Sequence, residues 1–339
     1  RPPRSTLFPY TMLFRSICAA LDNLGIVMFM RGEPAEALAH LGEALELAHQ
    51  SGLRRREIIA GNDMAGVCWG TGDYPAAMGY LQQALAVAIE IGYQQQIGFI
   101  LGNAGLLYTE AGDYQPALEC FARALQIAAD LGDWPAIVAA LGNLAFCLDN
   151  QQYDTAADRA YQLATAIGRA IGAREFLAGD LYHHAELCAQ HDRNAEALAY
   201  AGEARTIAEE VERHDVVLRA ALLELRLQSA AGVLDRHAAA ATLAALQETW
   251  PEPADQAAIL YARWQMQPDD TAAREAAADA YHDLSETDPA IDNRRRYAAA
   301  AGTSLPPPAP LPQLALLAAS SAPSLDTLLA RIELMNTAR

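Results

Sequence analysis

Four side chains in one short stretch are of the types that hold metal ions or move protons: His183, His184, Glu186 and His191. Imidazole nitrogens and carboxylate oxygens are common zinc ligands. The spacing here, however, matches neither the H-E-x-x-H pattern nor a two-Cys, two-His arrangement. On a helix the side chains of His183 and His184 point about 100° apart, so they are badly placed to share one ion. We therefore expect surface or binding histidines, no metal site and no cofactor.

Other reactive residue types are equally free of catalytic patterns. Neither a nucleophile elbow nor a phosphate-binding loop nor a dinucleotide fingerprint is present. The arginine runs Arg54-Arg55-Arg56 and Arg294-Arg295-Arg296 are expected to be solvated and paired with nearby glutamates. Five scattered cysteines without a C-x-x-C pattern are expected to be small buried side chains in a reducing compartment: Cys18, Cys68, Cys120, Cys147 and Cys188.

Composition narrows the possible partners. The 339 residues are 52% hydrophobic, which favours closely packed helices, and their net charge is −18. An acidic chain is poorly suited to nucleic acids or anionic membranes, since both require clustered positive charge. The apolar stretch at 17–30 is similar to a signal core, but Asp22 and Asn23 interrupt it, and no apolar run is expected to reach the length of a membrane span. We expect a cytoplasmic protein.

The first sixteen residues are unlike the rest of the chain. Residues 1–16 (RPPRSTLFPYTMLFRS) show no helical period and resemble a translated sequencing adapter. They are predicted to be a non-native segment, with the natural protein continuing upstream of Ile17. The repeat fold is therefore predicted to begin at Ile17.

The sequence repeats with a period of forty residues, and this repeat must determine which helix carries each of these side chains. Apolar residues recur at this step, as do the glycines Gly52, Gly92 and Gly132. A period of this size indicates stacked supersecondary units, none of which can bury its apolar face alone. The two apolar series are Ala44, Ala84, Ala124, Ala164, Ala204 and Leu47, Val87, Ile127, Ile167, Ile207.

The unit at 101–133 shows what is repeated. Apolar residues at helical spacing predict one helix, Gly112-Asp113-Tyr114 predicts a break, and a second apolar stripe predicts another helix. The pattern resembles the signature of the tetratricopeptide repeat in a forty-residue form. That resemblance implies an all-α fold, a right-handed α-solenoid of antiparallel helix pairs. The residues that carry it are Gly105, Tyr108, Gly112, Tyr114, Ala117, Phe121 and Ala124.

The repeat pattern also predicts the domain organisation. Five repeats are expected over 17–213, followed by degenerate helix pairs that cap the array over 214–301. The fourth repeat has the turn Gln151-Gln152-Tyr153, one residue short, which places Ala156 thirty-nine residues after Ala117. A Pro-rich linker is expected at 302–323, because LPPPAPLP cannot be helical. Residues 324–339 are predicted to form a short amphipathic tail, either a docking helix or a weakly ordered end.

The resemblance further implies a binding groove lined by the first helix of each repeat. One polar residue per repeat is implied to hold the backbone of a bound peptide, since an amide both donates and accepts hydrogen bonds. These residues are Asn23, Asp63, Asn103, Asn143 and His183. Hydrophobic anchors of the partner would contact Phe29, Trp69, Leu106 and Phe146. The alternative is that these side chains satisfy local backbone or belong to the core.

Three functions are compatible with a repeat fold of this kind. The first is a non-catalytic scaffold for protein–protein interaction, binding a peptide or helix in the groove. The second is a sensor or assembly arm at the C-terminal end of a large bacterial signalling protein, because the Ala-rich repeats resemble arrays appended to nucleotide cyclases, kinases and signalling ATPases. The third is a free-standing enzyme, for which no catalytic constellation is present.

Overall fold

In the computed structural model, residues 7–314 and 324–338 are described, with side chains from Met12 onward. This part of the chain contains sixteen α-helices and no strand, so the predicted all-α class is confirmed. The helices are α1 (Leu7–Met30), α2 (Pro34–Gln50), α3 (Arg54–Gly70), α4 (Tyr74–Glu90), α5 (Gln94–Ala111), α6 (Tyr114–Leu131), α7 (Trp134–Asn150), α8 (Asp154–Ile171), α9 (Arg174–Gln190), α10 (Asn194–Glu210), α11 (His214–Ala230), α12 (Arg236–Thr249), α13 (Pro253–Met266), α14 (Thr271–Thr287), α15 (Ile291–Ala301) and α16 (Leu325–Thr337).

Two compact units make up the chain. The first is Arg1–Ile127 with Ala309–Ala322, and the second is Ala128–Pro308 with Pro323–Arg339. The boundary falls inside α6, within the predicted five-repeat array, whereas the sequence suggested boundaries at 213 and 301. Consecutive helices pack in pairs, α1 with α2 and α3 with α4 in the first unit, and α7 with α8 and α9 with α10 in the second. Each unit therefore has the expected helix-pair architecture.

Small residues allow the paired helices to approach closely. The five alanines of the forty-residue series, from Ala44 to Ala204, are all at most 5% exposed. At one of these contacts, a Cβ placed on Gly61 of α3 would lie 3.3 Å from the Cβ of Ala84 on α4. No larger side chain fits between two backbones at this separation without displacing one of them.

We expect Ala84→Trp to lower the free energy of unfolding by about 1–3 kcal/mol, because overpacking pushes α3 and α4 apart. Ala86→Trp is the matched control: it lies on the same helix, two residues away, and is exposed. Chemical denaturation followed by circular dichroism measures both. Equal effects at the two positions would show that the inward face of α4 has been wrongly assigned.

The turns are more regular than the sequence suggested. A backbone with positive φ recurs every twenty residues from Gly32 to Gly232, and at position 152 it is Gln152, with φ 62°, that occupies it. The predicted shortening of the fourth repeat is therefore wrong: Ala157, forty residues after Ala117, is the fully buried residue, and Ala156 is not. A non-glycine residue in this conformation costs about 1–2 kcal/mol, yet the fold keeps the turn length and tolerates the strain.

The N-terminal segment does not end where the sequence indicated. Helix α1 runs without a break from Leu7 through residue 16, so the expected lack of helical structure there is wrong. The non-native origin of this segment stays a prediction. One helix in the described residues, at Met12–Met30, is long and apolar enough to cross a membrane by length and composition, which corrects the expectation that none would be. It carries Asp22, which is 3% exposed and lies 3.4 Å from Arg56 of α3.

The Pro-rich segment contributes contacts to the first unit. Near the C-terminal end of α5, the Tyr108 hydroxyl donates to the carbonyl oxygen of Pro312 at 2.7 Å and accepts from the backbone N–H of Leu314 at 3.0 Å. Leu311 and Leu314 are buried. Residues 303–314 are not helical, as a run dense in proline requires. Residues 315–323 of the predicted linker lie outside the described part.

The tail forms helix α16, which packs against α8 in the second unit. Its apolar stripe is buried at Leu328, Leu329 and Ile332. Arg159 of α8 donates two hydrogen bonds to the Glu333 carboxylate, at 2.8 and 2.9 Å. The described tail is thus a docked helix, the first of the two alternatives that its sequence left open.

Candidate functional site

All nine predicted binding residues lie on the first helix of a pair. Of these, Asn23 is exposed and the other eight are half-buried. Six belong to the first unit and three to the second, so each set is described by itself. The placement is Asn23 and Phe29 on α1, Asp63 and Trp69 on α3, Asn103 and Leu106 on α5, Asn143 and Phe146 on α7, and His183 on α9.

In the first unit, one of the three predicted polar residues has a hydrogen-bond partner on another helix. The side-chain amide of Asn103 donates to the Oδ1 of Asn62 at 3.5 Å. Burial, together with the charge of Asp22, raises the pKa of Asp63 to about 6, against the opposing effect of Arg56. A carboxyl group with such a pKa is close to half-protonated at slightly acidic pH. Asn103 therefore already has a partner within the chain.

The second unit offers an amide without such a partner. Asn143 makes no hydrogen bond to any described residue and is half-buried. One helical turn further along α7, the ring of Phe146 lies 5.0 Å from that of His183 on α9, centroid to centroid. The His183 ring also contacts Tyr182 at 5.1 Å. An amide that can donate and accept thus lies on the same helix as an aromatic pair.

Helix α15 lies against these same first helices. The guanidinium of Arg295 donates to the Oδ1 of Asn150 on α7 at 2.5 Å. The guanidinium of Arg296 lies 3.7 Å from a carboxylate oxygen of Glu186 on α9, and its side chain is 18% exposed. The run at 294–296 was expected to be solvated and paired with nearby glutamates. For Arg296 this is wrong in two respects: its side chain is largely buried, and its glutamate partner lies on another helix, α9.

Glu186 is held ionised by these contacts. Burial alone would raise its pKa, but the nearby imidazole of His183 and the positive charge of Arg296 outweigh burial and lower the pKa to about 2. The carboxylate also lies 3.8 Å from the Nδ1 of His183. The His183 ring thus lies between the Phe146 ring and the Glu186 carboxylate. Glu186 also contacts Arg296 of α15, a contact that the sequence of this repeat does not indicate.

The one group in the described residues that could hold a metal ion is Asp158, His184 and Cys188, whose ligand atoms lie within 4.8 Å of one another. Here the Nε2 of His184 donates to the Oδ1 of Asp158 at 2.9 Å, since a carboxylate only accepts. Arg193 donates to the same oxygen at 2.5 Å. Burial raises the pKa of Cys188 to about 11 and keeps it a thiol. Arg193 thus already supplies the positive charge that a metal would bring.

His183 and His184 therefore face different partners, as their helical spacing predicted. The expectation of a surface or binding histidine is wrong for His184, which is fully buried, with its ring stacked between those of Tyr161 and Tyr200 at 5.5 and 4.4 Å. Burial lowers the pKa of His184, which favours the neutral imidazole. His191 pairs instead with Asp154, at 3.1 Å.

A family comparison decides what these helix pairs are. The model of the tetratricopeptide repeat matches residues 16–90 and 96–169. Both matched segments carry tetratricopeptide repeats. The matched segments begin with α1 and end within α8, so they include eight of the nine predicted binding residues. No curated protein sequence matches the chain.

Solved structures share the fold of this chain at low sequence identity. The apo form of RapI has a TM-score of 0.62 and 18% identity, with 83% of this chain and 99% of that chain covered. A Rap protein complexed with Competence and Sporulation Factor has a TM-score of 0.57 and 16% identity, covering 83% and 74%. Aspartyl phosphate phosphatase F from Bacillus subtilis has a TM-score of 0.58 and 13% identity, covering 86% and 74%. At these identities the likeness shows the fold alone.

Sequence reasoning missed several residues around the first helices of the pairs. Asn62 was not predicted, because the repeat position assigned to binding is that of its neighbour Asp63. Glu186 was considered only as a metal ligand, and Arg296 only as part of a charged run. No local sequence pattern predicts that Glu186 and Arg296 meet, because they are 110 residues apart and the forty-residue period is no longer recognisable at α15.

Proposed function

We propose that this protein is a non-catalytic interaction scaffold that binds a peptide or helix on the first-helix face of its second unit. The observation that carries the proposal is the Asn143 amide, which has no partner among the described residues and lies one helical turn from the Phe146–His183 ring pair. An extended peptide would hydrogen-bond its backbone to the amide and place an apolar side chain against the rings.

Two further observations support a protein partner. The net charge of −18 disfavours nucleic acid as a ligand. Among structures with the same fold, a Rap protein is complexed with Competence and Sporulation Factor, so this architecture can carry a binding site for another molecule. We place the protein in the cytoplasm, in keeping with its free, buried cysteines.

The second candidate is that the chain is the sensor or assembly arm of a multidomain bacterial signalling enzyme. The observation in its favour is the fold shared with aspartyl phosphate phosphatase F. In this case the same first-helix face would bind a partner, and catalysis would lie elsewhere in the protein. The gene sequence upstream of residue 17 separates the two candidates, since a catalytic domain encoded there supports the arm.

A random dodecapeptide library panned against the immobilised chain supplies a ligand for the test. We expect Asn143→Ala with Phe146→Ala to weaken binding of a selected peptide by up to about a hundredfold, since one hydrogen bond and one aromatic contact each contribute about 1–1.5 kcal/mol. Fluorescence anisotropy titrations measure the affinity, and circular dichroism confirms that the helices remain.

The matched control replaces the same residue types outside the proposed site. Asn194 on α10 is exposed, and Phe176 at the start of α9 is 43% exposed. Asn194→Ala with Phe176→Ala is expected to leave the affinity unchanged. Undiminished binding in a folded Asn143→Ala, Phe146→Ala variant would place the site on another surface.

A further inference from the structure

The first helices of the second unit also enclose a cleft that no repeat signature indicates. It lies between α9, α11, α13 and α15, and it is open to solvent; the space between its walls, open solvent included, is about 410 Å³. Three guanidinium groups line it, those of Arg219, Arg226 and Arg296, whereas Glu186 is the only carboxylate among its lining residues. A cleft with an excess of positive charge is unexpected in a chain with a net charge of −18.

Two of these arginines lack a carboxylate partner. Arg219 and Arg226 are seven residues apart on α11, which places them two turns apart on one face. Arg226 donates to the Oε1 of Gln265 at 3.0 Å and forms no ion pair with a described residue. Arg219 has neither a hydrogen bond nor an ion pair within the described part of the chain.

The acidic residues near the cleft are already engaged or too far away. Asp215 receives two hydrogen bonds from Arg213, at 3.0 and 2.9 Å. Glu186 is shared by Arg296 and His183. Asp255 is close enough for the charge of Arg219 to act on it, but not within 4 Å. Neither Arg219 nor Arg226 thus has a carboxylate of a described residue within 4 Å, although the charge of Arg219 acts on both Asp215 and Asp255.

The remaining walls of the cleft are apolar and aromatic. Leu222 of α11 and Ala258 of α13 contribute aliphatic surface, and the Tyr261 ring lies 5.9 Å from the guanidinium carbon of Arg296. A ligand that fits these walls has an anionic group beside an apolar one. The planar guanidinium binds a carboxylate through two parallel hydrogen bonds, which makes arginine better suited to this task than a point charge.

We propose that this cleft binds a carboxylate of the peptide partner, flanked by an apolar side chain, with Arg219 and Arg226 as its ligands. The inference rests on the proposed function, since it names the chemistry of the bound peptide. The carboxylate comes either from an Asp or Glu side chain or from a free C-terminus. Both sources present the same two oxygens to the two guanidinium groups.

The test pans the same random dodecapeptide library, once with amidated and once with free C-termini, against the full chain. We expect the selected sequences to be enriched in Asp or Glu beside Leu, Ile, Val or Phe, or, if the terminal carboxylate is the ligand, to bind only with a free C-terminus. Changing that acid to its amide should weaken binding about ten- to hundredfold. In the variant Arg219→Gln, Arg226→Gln, the acid and its amide should bind equally.

The control variant removes the same charge elsewhere. Arg174→Gln with Arg236→Gln, at two exposed positions, also deletes two positive charges, so it keeps the long-range field of the test variant. It is expected to retain the preference for the acid. Thermal unfolding of both variants excludes loss of fold as the cause.

The outcomes separate the two proposals. If no peptide is enriched, the proposed function fails. Enriched peptides that require Asn143 and Phe146 but show no preference for acid would overturn the carboxylate site alone. A phosphoserine peptide, or inorganic phosphate, that displaces the acidic peptide more strongly than free glutamate does would instead assign the cleft to phosphate and refute the carboxylate assignment.

Discussion

Replacing Phe121 with alanine is expected to lower the free energy of unfolding by about 3–5 kcal/mol, the cost of emptying a fully packed aromatic site. The Phe121 side chain is 0% exposed on α6. A Cβ placed on Gly105 of α5 would lie 2.6 Å from a ring carbon of Phe121, so the ring rests directly on that backbone. No neighbour can fill the space that the ring leaves without moving α5 towards α6.

The matched control for this prediction is Phe99→Ala, because the Phe99 side chain on α5 is 56% exposed. We expect a change within about ±0.5 kcal/mol there. Chemical denaturation compares the two variants, and several probes should be followed because an array of repeats need not unfold in one step. Similar losses at Phe99 and Phe121 would contradict the proposed packing of α5 on α6.

The second large effect is expected at Asp180, a half-buried residue whose Oδ2 atom is buried and accepts no hydrogen bond in the described structure. The carboxylate of Asp180 on α9 lies directly against Gly142 of α7. Burial raises its pKa from 3.8 to about 7, and the positive charge of His183 opposes the shift only in part. The ionised form is therefore disfavoured in the folded state, where little water reaches it.

A raised pKa in the folded state fixes the sign of the pH dependence. The stability that Asp180 contributes is fully present below the unfolded pKa of 3.8 and is lost as the pH rises through about 7. Asp180→Asn removes this loss. We expect the variant to match the wild type near pH 4 and to exceed it by up to about 4 kcal/mol above pH 7, because each pKa unit corresponds to about 1.36 kcal/mol.

Urea denaturation of both proteins between pH 4 and pH 8.5 measures the difference. Asp279→Asn on the exposed side of α14 serves as the control, since it removes the same charge where water already solvates it. The control should leave the stability unchanged across this range, within about ±0.5 kcal/mol. A constant difference between Asp180→Asn and wild type at all pH values would show that Asp180 does not titrate on folding.

The sequence by itself determined the repeating unit. Every buried alanine of the forty-residue series was placed correctly, because a helix that packs against two neighbours needs a small residue at one fixed position per repeat. Turn length was also implicit, although it was misjudged at Gln152. The absence of glycine there was read as a shorter turn, whereas the backbone keeps φ at 62° with another residue.

Only the tertiary structure decided which distant residues meet. The sequence predicted helix pairs up to residue 301, and the structure has α15 over Ile291–Ala301, yet only the fold brings Arg296 to Glu186. Likewise, nothing in the sequence around Asp180 shows that its carboxylate faces Gly142. The physical reason is that periodicity fixes which face of a helix is inward, whereas burial of a charge depends on side chains from other helices. Contacts of this kind leave no local pattern in the sequence.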